Sequence, residues 1–178
     1  MVFPQDISES LLEKAKQIRY VLLDVDGVMT NGLLFFDEAG GEIKVFSIYD
    51  GLGISLLHKA GIGVGIISGR SSPIVARRAK ELHVEDLYQG VGNKVIPYKE
   101  ILERRHLDRR AVAFIGDDLI DLPLLRKVGF PIAVANAVDA VKGAADWVTQ
   151  RKGGEGAVRE VIDFILSAQK VEGEVGPI

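Results

Sequence analysis

Unbroken apolar runs alternate with amphipathic stretches along most of this chain. Residues 6–17 place Ile7, Leu11, Leu12 and Ala15 near one face, and Asp6 with Glu9 has the spacing of a capping box, so this stretch predicts a helix. The run from Tyr20 to Leu23 has no polar position, as in strands covered on both faces of a parallel sheet, and predicts a first strand over about 19–25. From residue 50 onward the pattern predicts helices over 52–59, 73–82, 94–105, 119–127, 138–142 and 155–167. Between them lie strands over 62–67, 87–88, 111–115, 131–134 and 147–148. Gly61 marks a helix end, and Pro73 sits just inside a helix that Ser71 or Ser72 caps. Strict alternation of this kind predicts an α/β, Rossmann-like doubly wound parallel sheet with right-handed crossovers. The length of 178 residues suits one domain over 1–178. Residues 169–178 are polar and contain Gly and Pro, which predicts a mobile tail.

The alternation breaks once, directly after the first strand. Residues 33–36 are apolar, 37–41 form a turn with Gly40 and Gly41, and 42–47 alternate. Ile43, Val45 and Ser47 fall on one side, Lys44, Phe46 and Ile48 on the other. A β-hairpin insertion over about 32–48 follows from this pattern. Both of its sides carry large apolar groups, and an isolated two-stranded hairpin is marginal in water. It is therefore expected to pack against another subunit, with packing on its own domain as the alternative.

Composition narrows the chemistry. A formal net charge of -3 gives no nucleic-acid footprint. The absence of cysteine excludes disulfides, thiolate metal sites and thiol nucleophiles. No apolar stretch approaches the ~20 residues of a membrane helix. The first residues lack a signal-peptide pattern, so a cytoplasmic location is the default expectation.

The polar groups that remain sit at strand ends. Asp24 and Asp26, Ser68, and Asp117 with Asp118 each follow a buried apolar strand, and Lys94 opens the helix after the short strand at 87–88. In a parallel sheet these ends line one edge, where open α/β sheets bind ligands. Clustered carboxylates without His or Cys suit a hard cation such as Mg2+. A lysine and a hydroxyl beside it suit a phosphoryl group. One carboxylate can then act as nucleophile and a second as acid and base. Taken singly, each residue also has a plainer reading. An Asx turn would explain an Asp-Gly, Ser68 could cap a turn, Lys94 could be solvated, and Asp118 and Asp121 could answer a helix dipole.

Together these residues resemble a known family. Asp24-Val25-Asp26-Gly27-Val28-Met29-Thr30, Ser68-Gly69-Arg70, Lys94 and Gly116-Asp117-Asp118-Leu119-Ile120-Asp121 are similar, in order, to the four motifs of the haloacid dehalogenase superfamily. The likeness covers about residues 19–165. The hairpin, the Asp50-Gly51-Leu52-Gly53-Ile54 segment and residues 153–160 resemble one branch, the 3-deoxy-D-manno-octulosonate 8-phosphate (KDO 8-phosphate) phosphatases. That resemblance implies the fold of the superfamily without a large cap domain, and a homotetramer whose hairpins and C-terminal tails meet at the active sites. It implies Mg2+ bound by Asp24, the Asp26 backbone carbonyl and Asp117, with Asp24 as nucleophile and Asp26 as general acid and base. Ser68 and Lys94 would hold phosphoryl oxygens. Asp118 would position Lys94 or a metal-bound water, Asp121 would support the loop, and Asp50 and Arg70 would be weaker substrate contacts. The implied activity is hydrolysis of a sugar-acid phosphate, in the lipopolysaccharide pathway of that branch, with no nucleic-acid or membrane partner.

Two positions depart from the pattern. Ser68 stands where many members have Thr, which keeps the hydroxyl, and Tyr49 stands where some relatives carry a basic residue. A nine-carbon 2-keto acid phosphate, which differs from KDO 8-phosphate mainly in length, is an alternative substrate. A phospho-receiver domain is the alternative from a different class, although receivers carry their acid pair after the first strand and the phosphorylated Asp after a middle one.

Overall fold

In the computed structural model, which describes residues 8–169, six parallel strands form the central sheet in the order β5-β4-β1-β6-β7-β8. These are β1 (Tyr20–Leu23), β4 (Gly63–Ile67), β5 (Asp86–Tyr88), β6 (Val112–Gly116), β7 (Phe130–Ala133) and β8 (Trp147–Val148). β2 (Phe35–Phe36) and β3 (Glu42–Ile43) pair antiparallel in a separate hairpin. The helices are α1 (Glu9–Gln17), α2 (Ile48–Lys59), α3 (Pro73–Glu81), α4 (Val95–Arg104), α5 (Leu122–Leu125), α6 (Asp139–Lys142) and α7 (Ala157–Ala168). α7 packs against α1 and α2, and α4 packs against α5.

The strand order explains where ligands can go. The chain runs from β1 outward to β4 and β5, then returns to the other side of β1 for β6, β7 and β8. The order therefore reverses between β1 and β6, and a crevice opens at such a switch point. Leu23 pairs with Ile66 on one side and Ile115 on the other. Ser68 and Asp117 each lie two residues beyond those partners, so the polar strand ends emerge side by side. Below them Leu22, Leu23, Ile66, Phe114 and Ile115 are almost fully buried, giving the edge a rigid base.

Several boundaries differ from the expected ones for identifiable reasons. Ser8 caps α1, its Oγ accepting from Leu11 N at 3.3 Å; the expected cap Asp6 lies outside the described residues. α2 begins at Ile48 rather than 52, because Ser47 caps it and accepts from Asp50 N at 3.4 Å. That early start shortens the hairpin. Only Phe35–Ile43 and Phe36–Glu42 are paired, and residues 44–47 are unpaired. The helix expected over 119–127 divides into a 3-10 turn, Leu119–Asp121, followed by α5. Pro123 enforces the division, since it has no N–H to give and crowds the preceding turn. Gln169, expected in a mobile tail, donates to the carbonyls of Ala15 (3.0 Å) and Ile18 (2.8 Å). The rest of that tail lies outside the described residues.

The alternation expected for residues 43–46 persists although the strand does not. Lys44 and Phe46 turn inward, and the Arg78 guanidinium lies 5.8 Å from the centre of the Phe46 ring. Ile43 and Val45 turn outward, more than half exposed, and Phe36, across from Glu42 on the opposite side of the hairpin from Ile43, is also more than half exposed. The hairpin segment therefore packs Lys44 and Phe46 on its own domain and leaves Phe36, Ile43 and Val45 exposed.

Candidate active site

Asp24 extends the β1–β6 ladder by one bond, Asp24 N donating to Ile115 O at 3.1 Å. This delivers its side chain to the switch point, 6% exposed. Lys94, at the N-terminus of α4, is 1% exposed. Its ammonium donates to Asp24 Oδ1 and, at 2.6 Å, to Asp121 Oδ1. A buried ammonium is tolerable only when paired in this way. Burial alone would lower the Lys94 pKa; the two carboxylates outweigh it and hold the group above its usual range. For Asp24, burial dominates and raises the carboxyl, with Lys94 pulling in the opposite direction.

Asp117 completes the cluster. Carboxylate oxygens of Asp24, Asp117 and Asp121 all lie within 4.8 Å of one another. Burial, then the charges of Asp24, Asp121 and Asp118, push the Asp117 carboxyl up to about 8. Like charges this close require a proton or a cation between them. An all-oxygen donor set with no His or Cys fits a hard divalent ion such as Mg2+.

The loop after β1 is shaped to let Asp117 in. Gly27 has φ +96°, and a Cβ there would lie 2.0 Å from Asp117 Oδ2. Thr30 Oγ1 closes the turn, accepting from Gly27 N and donating to Val25 O, both at 3.3 Å. From the far side, Asn136 Nδ2 donates to Gly27 O at 3.1 Å while its Oδ1 accepts from Gly153 N at 2.7 Å. Gly153 has to be glycine: a Cβ there would fall 1.7 Å from Gly27 O.

Ser68 is 2% exposed, and its Oγ accepts from Arg70 N at 3.2 Å, leaving the hydroxyl proton to donate. The Asp26 carboxylate does not join the other acids. It turns toward the hairpin, where Lys44 Nζ donates to Oδ1 and Arg70 Nε lies 3.6 Å from Oδ2. Any part Asp26 takes in binding a metal therefore falls to its backbone carbonyl.

Two expected roles change. Asp118 was expected to position Lys94 or a metal-bound water; it does not reach Lys94, but is exposed and caps the 3-10 turn, accepting from Leu119 N at 2.7 Å. Asp121 is the residue that turns inward. It is fully buried, holds Lys94, and accepts from Asp117 N (2.9 Å) and Asp118 N (3.3 Å). The tight turn makes Asp118 its N-cap and brings the third position after it round to face the sheet. Asp50 was an expected substrate contact. It is instead 2% exposed and accepts from Arg159 N at 2.8 Å, on the first turn of α7. Burial raises its carboxyl to about 6, and its second oxygen has no hydrogen-bond partner among the described residues. Asp50 thus joins α2 to α7. Arg70 does stand at the site, half-exposed, bonded to Glu42 Oε1 at 2.9 Å.

Lys44, Glu42 and Asn136 were not among the expected residues. Alternation puts Lys44 on the same side as Phe46, but which side faces the domain is not written in the sequence. A lone Asn after a strand gives no signal either, because turns use Asn for their own reasons.

Known proteins place the chain. Residues 77–162 match the profile of the haloacid dehalogenase-like hydrolases. A 3-deoxy-D-manno-octulosonate 8-phosphate phosphatase of Yersinia pestis is 43% identical over 96% of this chain and 91% of its own length. The crystal structure of the Yersinia pestis phosphatase superposes with a TM-score of 0.92 at 43% identity, over 94% of this chain and 91% of that one. A Moraxella catarrhalis phosphatase of the same name, solved with magnesium, phosphate and KDO, has a TM-score of 0.87 at 40% identity, over 89% and 91% of the two chains. On that identity and coverage, the chain belongs to the KDO 8-phosphate phosphatase family of haloacid dehalogenase-like hydrolases.

Proposed function

We propose that this chain is a Mg2+-dependent phosphomonoesterase that converts KDO 8-phosphate to KDO and inorganic phosphate. The observation that carries this reading is the cluster at the β1/β6 switch point, where Asp24, Asp117 and Asp121 come together and the buried Lys94 ammonium bonds Asp24 and Asp121. In the Moraxella catarrhalis relative the ligands are magnesium, phosphate and KDO.

Asp24, Asp117 and the Asp26 carbonyl would hold the metal. Once bound, Mg2+ supplies Lewis-acid polarisation of a phosphoryl oxygen and neutralises its charge. Lys94 and the Ser68 hydroxyl bind other non-bridging oxygens, and Lys94 also keeps Asp24 aimed along the line of attack. An Asp24 oxygen attacks phosphorus as the bond to the sugar oxygen breaks. Asp26 gives its proton to that leaving oxygen. Asp26 then takes a proton from the water that attacks the aspartyl phosphate, and phosphate and free Asp24 result.

The assembly belongs to the same reading. Leu33, Phe35, Phe36, Ile43, Val45 and Ile48 form an outward apolar surface, each 44–76% exposed. Exposed apolar patches mark interfaces, and a homotetramer with hairpins at its interfaces would cover this one. The part expected of the C-terminal tail lies outside the described residues. Among the described residues no helix is long and apolar enough to cross a membrane. A cytoplasmic site of action accords with a substrate whose phosphate and carboxylate charges keep it from crossing membranes.

The test is a phosphate-release assay over sugar phosphates with Mg2+ or with chelator, including eight- and nine-carbon 2-keto acid phosphates. Mg2+-dependent release with the eight-carbon acid preferred is expected. Preference for the nine-carbon acid would move the substrate assignment, and metal-independent release would overturn the mechanism.

A further inference from the structure

The Asp26 carboxyl is gripped from the hairpin, not from the sheet. Lys44 Nζ donates to its Oδ1. The Lys44 side chain is 2% exposed, although its neighbours Ile43 and Val45 are 54% and 59% exposed. A lysine in a short surface hairpin would ordinarily extend into water. Desolvating its ammonium is costly unless it is paired, and here it is paired twice, with Glu42 Oε1 at 3.3 Å as the second partner. Glu42 is itself fixed by Arg70 Nη2 at 2.9 Å and by the Ser72 hydroxyl at 2.8 Å. Arg70 and Ser72, from the loop after β4, thus hold Glu42, Glu42 pairs with Lys44, and Lys44 alone bonds Asp26 Oδ1. Among the described residues the other oxygen, Oδ2, has only Arg70 Nε at 3.6 Å, beyond hydrogen-bonding distance.

We propose that Lys44 is a positioning residue for the acid–base step. It anchors Oδ1 of Asp26, which leaves Oδ2 as the oxygen that carries the transferred proton. During ester cleavage that proton moves from Oδ2 to the leaving sugar oxygen, and Asp26 becomes a carboxylate. In the second step Oδ2 takes a proton from the attacking water. The hairpin thereby takes part in the chemistry. This inference rests on the role given to Asp26 under Proposed function.

The test uses the leaving group. An alkyl sugar phosphate needs a proton on its departing oxygen, whereas p-nitrophenyl phosphate departs as a stabilised phenolate and needs none. kcat/KM reports the steps through formation of the phosphoenzyme, which isolates the acid role from the later base role. Lys44→Met should lower kcat/KM for the sugar phosphate by about tenfold or more, part of the hundredfold or greater contribution typical of a general acid. It should leave kcat/KM for p-nitrophenyl phosphate nearly unchanged, and Lys44→Arg should restore much of the loss. An equal loss on both substrates would show a general structural role and overturn the proposal. A rise in KM for the sugar phosphate alone, with kcat kept, would assign Lys44 to substrate binding and also overturn it. A wild-type protein inactive on every phosphate monoester would instead remove the phosphatase reading and the proposal together.

Discussion

Replacing Asp121 by Asn should reveal how much of the site hangs on a residue no substrate touches. Asp121 Oδ1 accepts from the Lys94 ammonium, and Oδ2 accepts from the amides of Asp117 and Asp118. An Asn side chain supplies only one oxygen. In either orientation its NH2 faces a donor, the ammonium or the two amides. Breaking one partner of a buried ion pair costs about 3–5 kcal/mol. At about 2–4 °C per kcal/mol for a chain of this size, the midpoint of thermal unfolding should fall by about 6–20 °C. The companion variant is Asp118→Asn. Asp118 is an exposed cap, and Asn caps as well as Asp, so its cost should stay within about 0.5 kcal/mol. Unfolding of both variants, followed by circular dichroism on heating and in urea, gives the comparison. If Asp121→Asn were no more destabilised than Asp118→Asn, the assignment of Lys94 to Asp121 would be wrong.

Three further outcomes are expected. Gly27→Ala places a Cβ 2.0 Å from Asp117 Oδ2 at a φ of +96°, so turnover and Mg2+ affinity should both fall; titration calorimetry showing unchanged affinity would contradict the packing. The folded, metal-free protein holds the Asp117 proton more tightly than the unfolded chain does. The stability from that proton is full below the ordinary value of 3.8 and is lost as pH rises through about 8. Mg2+ must displace the proton, so the gain in melting temperature on adding Mg2+ should be larger at about pH 8.5 than at about pH 6.5. Equal gains would contradict the raised value. Finally, Phe36→Ser with Ile48→Ser removes two of the most exposed apolar groups, 62% and 76% exposed, and should shift the protein toward smaller species in sedimentation; an unchanged oligomer would place the interface elsewhere.

What could be read from the sequence followed from locality. Asp24, Ser68 and Asp117 each announce themselves as polar residues ending an apolar run, and a parallel sheet brings such ends together whatever its details. That Asp121, besides supporting the loop, and not Asp118 holds Lys94 was not readable, because it depends on a 3-10 turn that Pro123 imposes. Asp50 was a weak candidate for substrate contact through the likeness of residues 50–54 to one branch of the family. Only the packing of α2 on α7 shows that its carboxylate serves the α7 N-terminus. Lys44 lay in a stretch read for its apolar alternation, and its partner Asp26 is 18 residues away. Asn136 and Gly153 meet Gly27 across distances of more than a hundred residues in sequence, which no local pattern records.

The central claim is that a phosphoryl group passes through the carboxylate at position 24. Acid quenching during turnover of KDO 8-phosphate, followed by borohydride reduction, would convert an aspartyl phosphate into homoserine, which peptide mass spectrometry locates. The account predicts homoserine at position 24 alone, dependent on Mg2+ and on substrate. Modification at position 26 or 117, or continued turnover with no trapped residue, would contradict it.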